Sequence, residues 1–346
     1  KTENRDKIEL YCHHKLSKIH RKSEETVMKK SKILILLSLA AIAAGCALAF
    51  AGCKPDSDHG LSHTPSRWIT DTEATCTEAG SKHRECTVCG ELLEQKVVSP
   101  KGHNFVGNVC SVCGVTASEG LAYELSSDGC GYSVVGIGSC TDKDVVIPSS
   151  HQNLPVTEIG KDAFSHCGII SVALPAGVTS IGFCAFSACF SLTSISIPDS
   201  ITSIDSFAFS DCTSLTSITL SDNVTFIGHH SFSSCTSLTS IILPDKVVAI
   251  IFEAFRGCSG LTSIILPESL VSIGGSAFSG CNSLTSISIP EGVTSLGQST
   301  FYDCKSLTSV SLPDGLTSIG YGAFSGCGRL TSISIPEGVT SLDWTF

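Results

Sequence analysis

The sequence is poor in charged residues, and positive charges are the scarcer kind. Only 16% of its 346 residues are charged, with 22 Lys and Arg against 32 Asp and Glu, so the formal net charge is -10. Phosphate groups are bound chiefly by Lys and Arg, which makes an acidic chain a poor candidate for nucleic-acid binding. We therefore expect no nucleic-acid partner.

The sequence also lacks the common motifs of enzymes. It contains no H-E-x-x-H, no G-x-S-x-G and no G-x-x-x-x-G-K-[ST] motif. His166, His229 and His230 have no carboxylate partner at a repeated spacing. Since general acid–base catalysis needs a positioned proton donor or acceptor, we predict that the protein is not an enzyme.

Methionine is nearly absent, and the chain does not begin with it. The single methionine, Met28, is followed by the lysine-rich stretch KKSK and an uncharged apolar run, Ile33–Phe50. A basic start, an apolar run and a segment of small residues are the marks of a secretory signal. We interpret residues 1–27 as a gene-model artefact or disordered sequence, and residues 28–53 as the signal peptide of an exported protein.

The end of this run resembles the lipobox of bacterial lipoproteins. Residues 50–53 read FAGC, and the resemblance implies that Cys53 is lipidated, with Cys46 in AAGC as a second candidate. The apolar run just reaches membrane-spanning length, so a single anchor helix is the alternative. The lipobox resemblance implies a membrane-anchored lipoprotein at the cell surface.

Cysteine, in contrast, is abundant, with 19 residues. Two C-x-V-C-G elements within residues 54–118 are separated by 20 residues, which fits the long end of the four-cysteine zinc spacing. In an exported protein the same cysteines could form disulfides instead. We therefore predict a small cysteine-rich module held together by structural zinc or by disulfides. The candidate zinc ligands are Cys86, Cys89, Cys110 and Cys113, with Cys76 and His103 as alternative ligands.

The second half of the chain is a repeat of 23 residues. Each copy reads approximately C-x-x-L-T-S-I-x-I-P-[DE]-x-V-T-S-I-G-x-x-A-F-S. A fixed period of this length indicates a solenoid, because so short a unit buries its apolar face only by stacking on its neighbours. The phenylalanines at this step are Phe186, Phe209, Phe232, Phe255, Phe278, Phe301 and Phe324, with Phe164 one residue out of step. The cysteines at this step are Cys189, Cys212, Cys235, Cys258, Cys281, Cys304 and Cys327.

This consensus resembles the BspA-type leucine-rich repeat of bacterial surface proteins, over residues 145–346. The resemblance implies a leucine-rich repeat solenoid of the α/β type, with a parallel β-sheet on the concave face and short helical turns. We expect residues 119–150 to form an N-terminal cap and residues 151–346 to form the repeats. The last copy stops at Phe346, within a repeat, so we expect an incomplete C-terminus.

Each copy also predicts its local structure. LTSISI alternates apolar and polar residues, as a half-buried strand does, and Pro ends that strand. VTSIG is expected to turn the chain, and AFSGC to form a single helical turn. The phenylalanines should form an apolar spine, and each cysteine should be a small buried filler with an inert thiol.

Two isoleucines interrupt a column of small residues on the expected concave face. Ile242 and Ile265 stand where most copies have Ser or Thr, and Ile251 replaces the usual corner Gly. An exposed apolar patch can mark a contact site, although sequence drift in a tolerant array is the alternative. The candidate binding residues are Ser240, Ile242, Ile251, Phe252, Ser263 and Ile265.

The resemblance also implies a function. BspA-type proteins act as adhesins for host matrix proteins such as fibronectin and fibrinogen, or for other microbes, which implies protein ligands for this chain. Structural zinc is the one cofactor that we consider. The alternative is a structural or metal-handling envelope lipoprotein that acts through its cysteine-rich module.

Overall fold

The structure is a computed structural model that describes residues 64–75, 80–98, 105–106 and 109–340. The predicted signal peptide with Cys53, and the residues Cys76 and His103, lie outside the described residues. Within the described part, no helix has the length and apolar character needed to cross a membrane. The chain divides into two compact units, one of which contains residues 82–96 and the other the whole repeat region.

The cysteine-rich segment consists of short strands and tight turns. One sheet has the order β1-β2-β3, and β4 pairs antiparallel with β5. Both C-x-V-C-G elements lie in turns that follow a strand, and we call these two turns the cysteine knuckles. These strands are β1 Ile69–Thr72, β2 Gly80–Glu85, β3 Leu92–Val98, β4 Phe105–Val106 and β5 Val109–Cys110.

The region before the repeats supplies the first strands of the array. The strands here are β6 Ala122–Leu125, β7 Tyr132–Gly136, β8 Asp144–Val146, β9 Ser150–His151 and β10 Leu154–Ile159. β6 and β7 are antiparallel, whereas β7 and β10 are parallel. The parallel pairing that continues through the repeats therefore starts before the repeats begin. β8 then pairs with the first strand of the repeats, which buries the end of the array.

The seven strands between Ser171 and Ser311 come from segments that correspond to LTSISI, as predicted, whereas the last described copy, residues 330–335, forms no strand. We call these strands the first strand column, and they pair in parallel with residues of the same repeat position opposite one another. Hydrogen-bonded pairing divides the column into β8-β11-β13-β15, β17-β19 and β21-β23. Its strands are β11 Ser171–Ala173, β13 Ser194–Ser196, β15 Ser217–Thr219, β17 Ser240–Ile242, β19 Ser263–Ile265, β21 Ser286–Ser288 and β23 Ser309–Ser311.

Each coil also contributes a second strand, which the sequence did not predict. The VTSIG segment was expected to be a turn, yet two of its residues pair in parallel with those of the next coil. Each of these strands has only two residues, one exposed or partly exposed and one buried. Two residues are too few for the period of a strand to be recognised in the sequence. This second strand column comprises β12 Ser180–Ile181, β14 Ser203–Ile204, β16 Phe226–Ile227, β18 Ala249–Ile250, β20 Ser272–Ile273, β22 Ser295–Leu296 and β24 Ser318–Ile319.

The AFSGC segment that closes each coil is not helical, so the prediction of short helical turns was wrong. The described residues contain no helix. The N–H groups of Phe186 and Ala188 donate to carbonyls of the next coil, at 2.9 and 2.7 Å, whereas an α-helix would keep such bonds within itself. In each coil two residues four apart, one just before this segment and one within it, have left-handed φ angles that produce tight turns. They are Asp162 and His166, Cys184 and Ala188, Phe207 and Asp211, His230 and Ser234, Glu253 and Gly257, Ser276 and Gly280, Ser299 and Asp303, and Gly322 and Gly326.

A continuous stack of phenylalanine rings forms the centre of the array. Neighbouring rings from Phe164 to Phe324 have centroids 5.3 to 5.6 Å apart and are within 9° of parallel. Every ring is buried, with Leu, Ile and Val side chains of both strand columns packed around the stack. The predicted apolar spine is confirmed.

The repeated cysteines are buried beside this stack, and their thiols also donate hydrogen bonds to the backbone. Cys258 Sγ donates to the carbonyl of Phe232 in the preceding coil, at 3.0 Å. The same carbonyl accepts the N–H of Cys235, at 3.3 Å, so both of its acceptor positions are used. Seven cysteines make the equivalent contact, at 2.9 to 3.3 Å. Their predicted burial is confirmed, and cysteine suits the position because it is small, largely apolar and still a donor.

Candidate binding surface

Ile242 and Ile265 form an exposed apolar pair on the first strand column. They lie directly opposite each other in the parallel pairing of β17 and β19. The exposed fractions of Ile242 and Ile265 are 48% and 56%. The preceding residues on the two strands, Ile241 and Ile264, lie on the opposite face of the sheet and are buried. Ser240 and Ser263 are likewise opposite each other at the start of the two strands. The structure therefore brings four of the six candidate residues together.

The other two candidates lie elsewhere on the coil. Ile251 and Phe252 follow β18 of the second strand column, at the corner where the closing turn begins. Phe252 is 43% exposed, whereas Ile251 is only partly exposed and its N–H donates to the carbonyl of Ile227, at 3.1 Å. The structure thus divides the six predicted residues into two groups, four on the first strand column and two at the corner that follows the second strand column.

Hydroxyl groups at the start of the first strand column are used to join the coils. Thr262 Oγ1 donates to the carbonyl of Thr239, at 3.1 Å, and Thr308 Oγ1 donates to the carbonyl of Thr285, at 3.0 Å. Exposed hydroxyls that are engaged in this way contribute to coil stacking rather than to ligand binding. The isoleucine pair is consequently the feature that distinguishes β17 and β19 from neighbouring strands of the column.

Phe252 belongs to a row of aromatic side chains that the sequence analysis missed. We call this row the aromatic ribbon and define it as Phe183, Phe207, His230 and Phe252. The ring centroids of Phe183 and Phe207 are 5.5 Å apart, those of Phe207 and His230 4.4 Å, and those of His230 and Phe252 5.7 Å. The four rings are divided between two adjacent repeat positions, with Phe183 and Phe252 at the first and Phe207 and His230 at the second, so neither position alone shows the row. A comparison of both positions together would have found it.

The two predicted cysteine knuckles have the same local hydrogen bonds. The N–H of Cys86 donates to Glu91 and that of Gly90 to Cys86, at 2.8 and 2.9 Å, and Cys110 and Gly114 repeat this arrangement at the same distances. Both glycines have φ above +70°, which explains why glycine is used there. Each turn thus presents one buried and one exposed cysteine.

The described residues contain no group of three or more His, Cys, Asp or Glu side chains placed to hold a metal ion. The alternative ligands Cys76 and His103, and the proposed lipidation site Cys53, lie outside the residues that the structure describes. The zinc ligands and the lipid anchor therefore remain predictions.

Most buried thiols of the repeats have raised pKa values and low reactivity. Burial raises the pKa of Cys189 and Cys258 from 9.0 to about 12 and holds that of Cys235 well above 9.0. Since the thiolate is the reactive form, these cysteines are poor nucleophiles at neutral pH. They are structural groups, which agrees with the predicted inert thiols.

The repeat region is similar to a known protein family and to several solved structures. The model of the BspA type leucine rich repeat region matches residues 139–259 and 225–345, with six copies. A leucine-rich repeat protein of Treponema pallidum is 30% identical, with 62% of this chain and 90% of that chain covered and a TM-score of 0.46. A leucine-rich repeat protein of Bacteroides ovatus is 25% identical over 65% and 83% of the two chains, with a TM-score of 0.33.

A leucine rich cell surface protein of Faecalibacterium prausnitzii is 23% identical, with coverage of 62% and 93% and a TM-score of 0.25. No curated protein matches the chain. The family match spans more than half of the sequence, over the same residues that form the paired strands and the phenylalanine stack. The chain therefore belongs to the BspA type leucine-rich repeat family.

Proposed function

We propose that this protein is a non-enzymatic adhesin that binds host matrix proteins or microbial surface proteins through its repeats. The supporting observation is the exposed pair of Ile242 and Ile265 on the first strand column. The family supports a surface protein that binds other proteins. The signal-like residues 28–53 support export, and we propose a lipid anchor at Cys53.

The isoleucine pair is not needed by the fold, which is why we assign it to binding. The equivalent pair on β21 and β23 is Ser288 and Ser311, and these strands have the same register. Exposed apolar side chains gain little from folding, whereas burial in a complex is worth about 25 cal/mol for each Å² of apolar surface. Apolar residues at the centre of a polar surface are typical of a protein contact.

Binding of the full chain to immobilised fibronectin and fibrinogen tests this proposal. We expect saturable binding, and we expect the double variant Ile242→Asp, Ile265→Asp to bind at least about tenfold more weakly. The matched control Ser288→Asp, Ser311→Asp adds the same charges at the same repeat positions and should bind as the unmodified chain does. An equal loss of affinity in both double variants would show that the isoleucine pair is not the binding site. If the unmodified chain does not bind, fibronectin and fibrinogen are not its ligands.

A second candidate function is supported by the two matching cysteine knuckles. We propose that the cysteine-rich segment binds zinc, either through Cys86, Cys89, Cys110 and Cys113 or through a set that includes Cys76 and His103. Two similar turns that each present a cysteine pair are typical of zinc knuckles. Tightly held zinc would be structural, and readily exchanged zinc would favour a metal-handling envelope lipoprotein.

Metal analysis of the reduced, purified chain separates these alternatives. We expect about one zinc ion per chain. Loss of zinc in Cys113→Ser with retention in Cys76→Ser identifies the four-cysteine set, and the reverse result identifies the set with Cys76 and His103. A metal-free chain whose cysteines form disulfides when purified without reductant would contradict the proposal.

A further inference from the structure

The aromatic ribbon crosses four coils and is exposed at its two ends, while Phe207 and His230 between them are half-buried. Phe207 and His230 stack within 10° of parallel, and Phe183 and Phe252 incline at 59° and 70° to their neighbours at the two ends. Both end rings remain about two-fifths exposed, at 40% and 43%. The ribbon therefore presents apolar ring surface to solvent, unlike the fully buried phenylalanine stack of the core.

The repeats themselves show that the fold does not require these rings. At the first of the two ribbon positions, the coils without a ribbon residue there have Ser206, His229, Gly275, Gln298 or Tyr321. At the second position other coils have Ser276, Ser299 or Gly322. Because those coils close with the same turns and the same hydrogen bonds, the aromatic side chains serve no repeated structural purpose. Their concentration in adjacent coils calls for a role in binding.

The acidic character of the repeat region as a whole favours a cationic partner, while Lys161 and Arg256 are the basic residues at the two ends of the ribbon. From residue 145 onward the sequence has 14 Asp and Glu and 5 Lys and Arg, which gives 5 − 14 = −9. Asp205 replaces the corner Gly next to the ribbon, and its exposed carboxylate accepts the N–H of Ser206, at 2.6 Å. Glu253 at the other end is already engaged by Arg256, at 2.9 Å, and by His230, at 3.2 Å. The carboxylate of Asp162, next to Phe183, lies 3.9 Å from Lys161 Nζ. Asp205 is therefore the carboxylate beside these rings that has no ion pair among the described residues.

One end of the ribbon already shows the expected kind of contact. Lys161 Nζ lies 5.6 Å from the ring centroid of Phe183. A cation over an aromatic face is attracted by the negative charge of the ring face, and arginine makes this contact more often than lysine. The planar guanidinium of arginine also pairs with a carboxylate while it stacks on a ring. Phe207 and Phe252, on either side of His230, offer rings near Asp205 and along the same row.

We propose that the aromatic ribbon docks an extended, arginine-containing segment of a partner protein. Guanidinium groups would contact the ring surface of Phe183, Phe207 and Phe252 that Lys161 and His230 leave uncovered, and one would pair with Asp205. This surface lies at the corner after the second strand column, apart from the isoleucine pair on the first strand column. The inference thus goes beyond the proposed adhesin site and commits to a basic partner.

Fluorescence anisotropy with a labelled peptide in which arginine alternates with glycine tests the inference on the full chain. We expect the double variant Phe207→Ser, Phe252→Ser to bind the peptide about tenfold more weakly, since two cation–π contacts are lost. Serine occurs naturally at both positions in other coils, so the variant should fold. The control Tyr321→Ser removes an exposed aromatic residue at the same repeat position outside the ribbon, and it should not change the affinity.

Three further measurements test whether the arginine side chains and Asp205 account for the binding. Replacement of arginine by neutral citrulline in the peptide should abolish most of the binding, and Asp205→Asn should weaken it about threefold through loss of one charged pair. The double variant Ile242→Asp, Ile265→Asp should retain peptide binding even if it loses matrix proteins, which separates this inference from the proposed adhesin function. Equal affinity of the unmodified and phenylalanine-substituted chains, no binding at all, or equal binding of the citrulline peptide would overturn the inference.

Discussion

Raising the pH above about 9 should unfold the repeat array steeply, because its buried thiols keep their protons longer in the folded state than in the unfolded chain. Burial raises the pKa of Cys189 and Cys258 from 9.0 to about 12. Burial likewise raises the pKa of Cys212, Cys235 and Cys281 above 9.0. A cysteine that must stay neutral in the core becomes a source of instability in alkali.

The sign of this effect follows from proton binding. Below pH 9 both states hold their thiol protons, and the stabilisation is fully present. As the pH rises toward the folded-state pKa values, only the unfolded chain releases protons, so the free energy of unfolding falls. Each thiol contributes a slope of about 1.4 kcal/mol per pH unit, and five thiols together about 7 kcal/mol. Since ordinary domains have about 5–15 kcal/mol of stability, one to two pH units should suffice for unfolding.

Urea unfolding followed by circular dichroism, in reductant and at pH values from about 7 to 10.5, measures this slope. The double variant Cys235→Val, Cys258→Val removes two of the five thiols and should reduce the slope by about two-fifths. It should also be less stable at neutral pH, because two Phe carbonyls lose their S–H donors. A free energy of unfolding that stays constant up to pH 10.5 would show that the thiols are not protected as the structure indicates.

The second large effect concerns the phenylalanine stack. We expect Phe255→Ala to lower the free energy of unfolding by about 3–5 kcal/mol, because it leaves a cavity at a fully buried position. The substitution also removes contacts with Phe232 and Phe278, whose ring centroids lie 5.4 and 5.5 Å away. Stacked pairs of this kind contribute about 0.5–1.5 kcal/mol each beyond simple burial.

Phe252→Ala is the matched control, since it removes the same side chain from the same turn at a position 43% exposed. It should change stability by no more than about 0.5 kcal/mol. Phe255→Leu should fall between the two, because it retains apolar volume but loses the ring stack. Denaturant unfolding of the three variants provides the comparison, and similar losses for Phe255→Ala and Phe252→Ala would contradict the distinction between the core stack and the exposed ribbon.

Much of the fold could be predicted from the 23-residue period. The burial of Phe255 and Cys258 and the strand Ser263–Ile265 follow from one-dimensional patterns, because stacking places equal repeat positions against each other. The strand Ala249–Ile250 could not be predicted, since its two residues are too few to show a period. The closing turn was misassigned as helical because left-handed residues such as Ala188 and Ser234 are not marked by glycine.

The candidate sites could be predicted only where the unusual residues occupy the same position of the repeat. Ile242 and Ile265 differ from the serines of a single column, so their adjacency was evident from the sequence. The aromatic ribbon is divided between two adjacent repeat positions, and the row of contacts from Phe183 to Phe252 becomes evident only when the coils are stacked. The S–H donation to a phenylalanine carbonyl was missed for the same reason, because donor and acceptor lie 25 or 26 residues apart.

The bonding of each coil to its immediate neighbours has a mechanical consequence. Backbone pairing, threonine hydroxyls and cysteine thiols all join one coil to the next, so a load applied to the ends would detach coils successively rather than break the array at once. Each released 23-residue coil could extend by up to about 80 Å. Under tension the array would therefore behave as an extensible tether, in which coils that remain stacked keep their surfaces intact while others unravel.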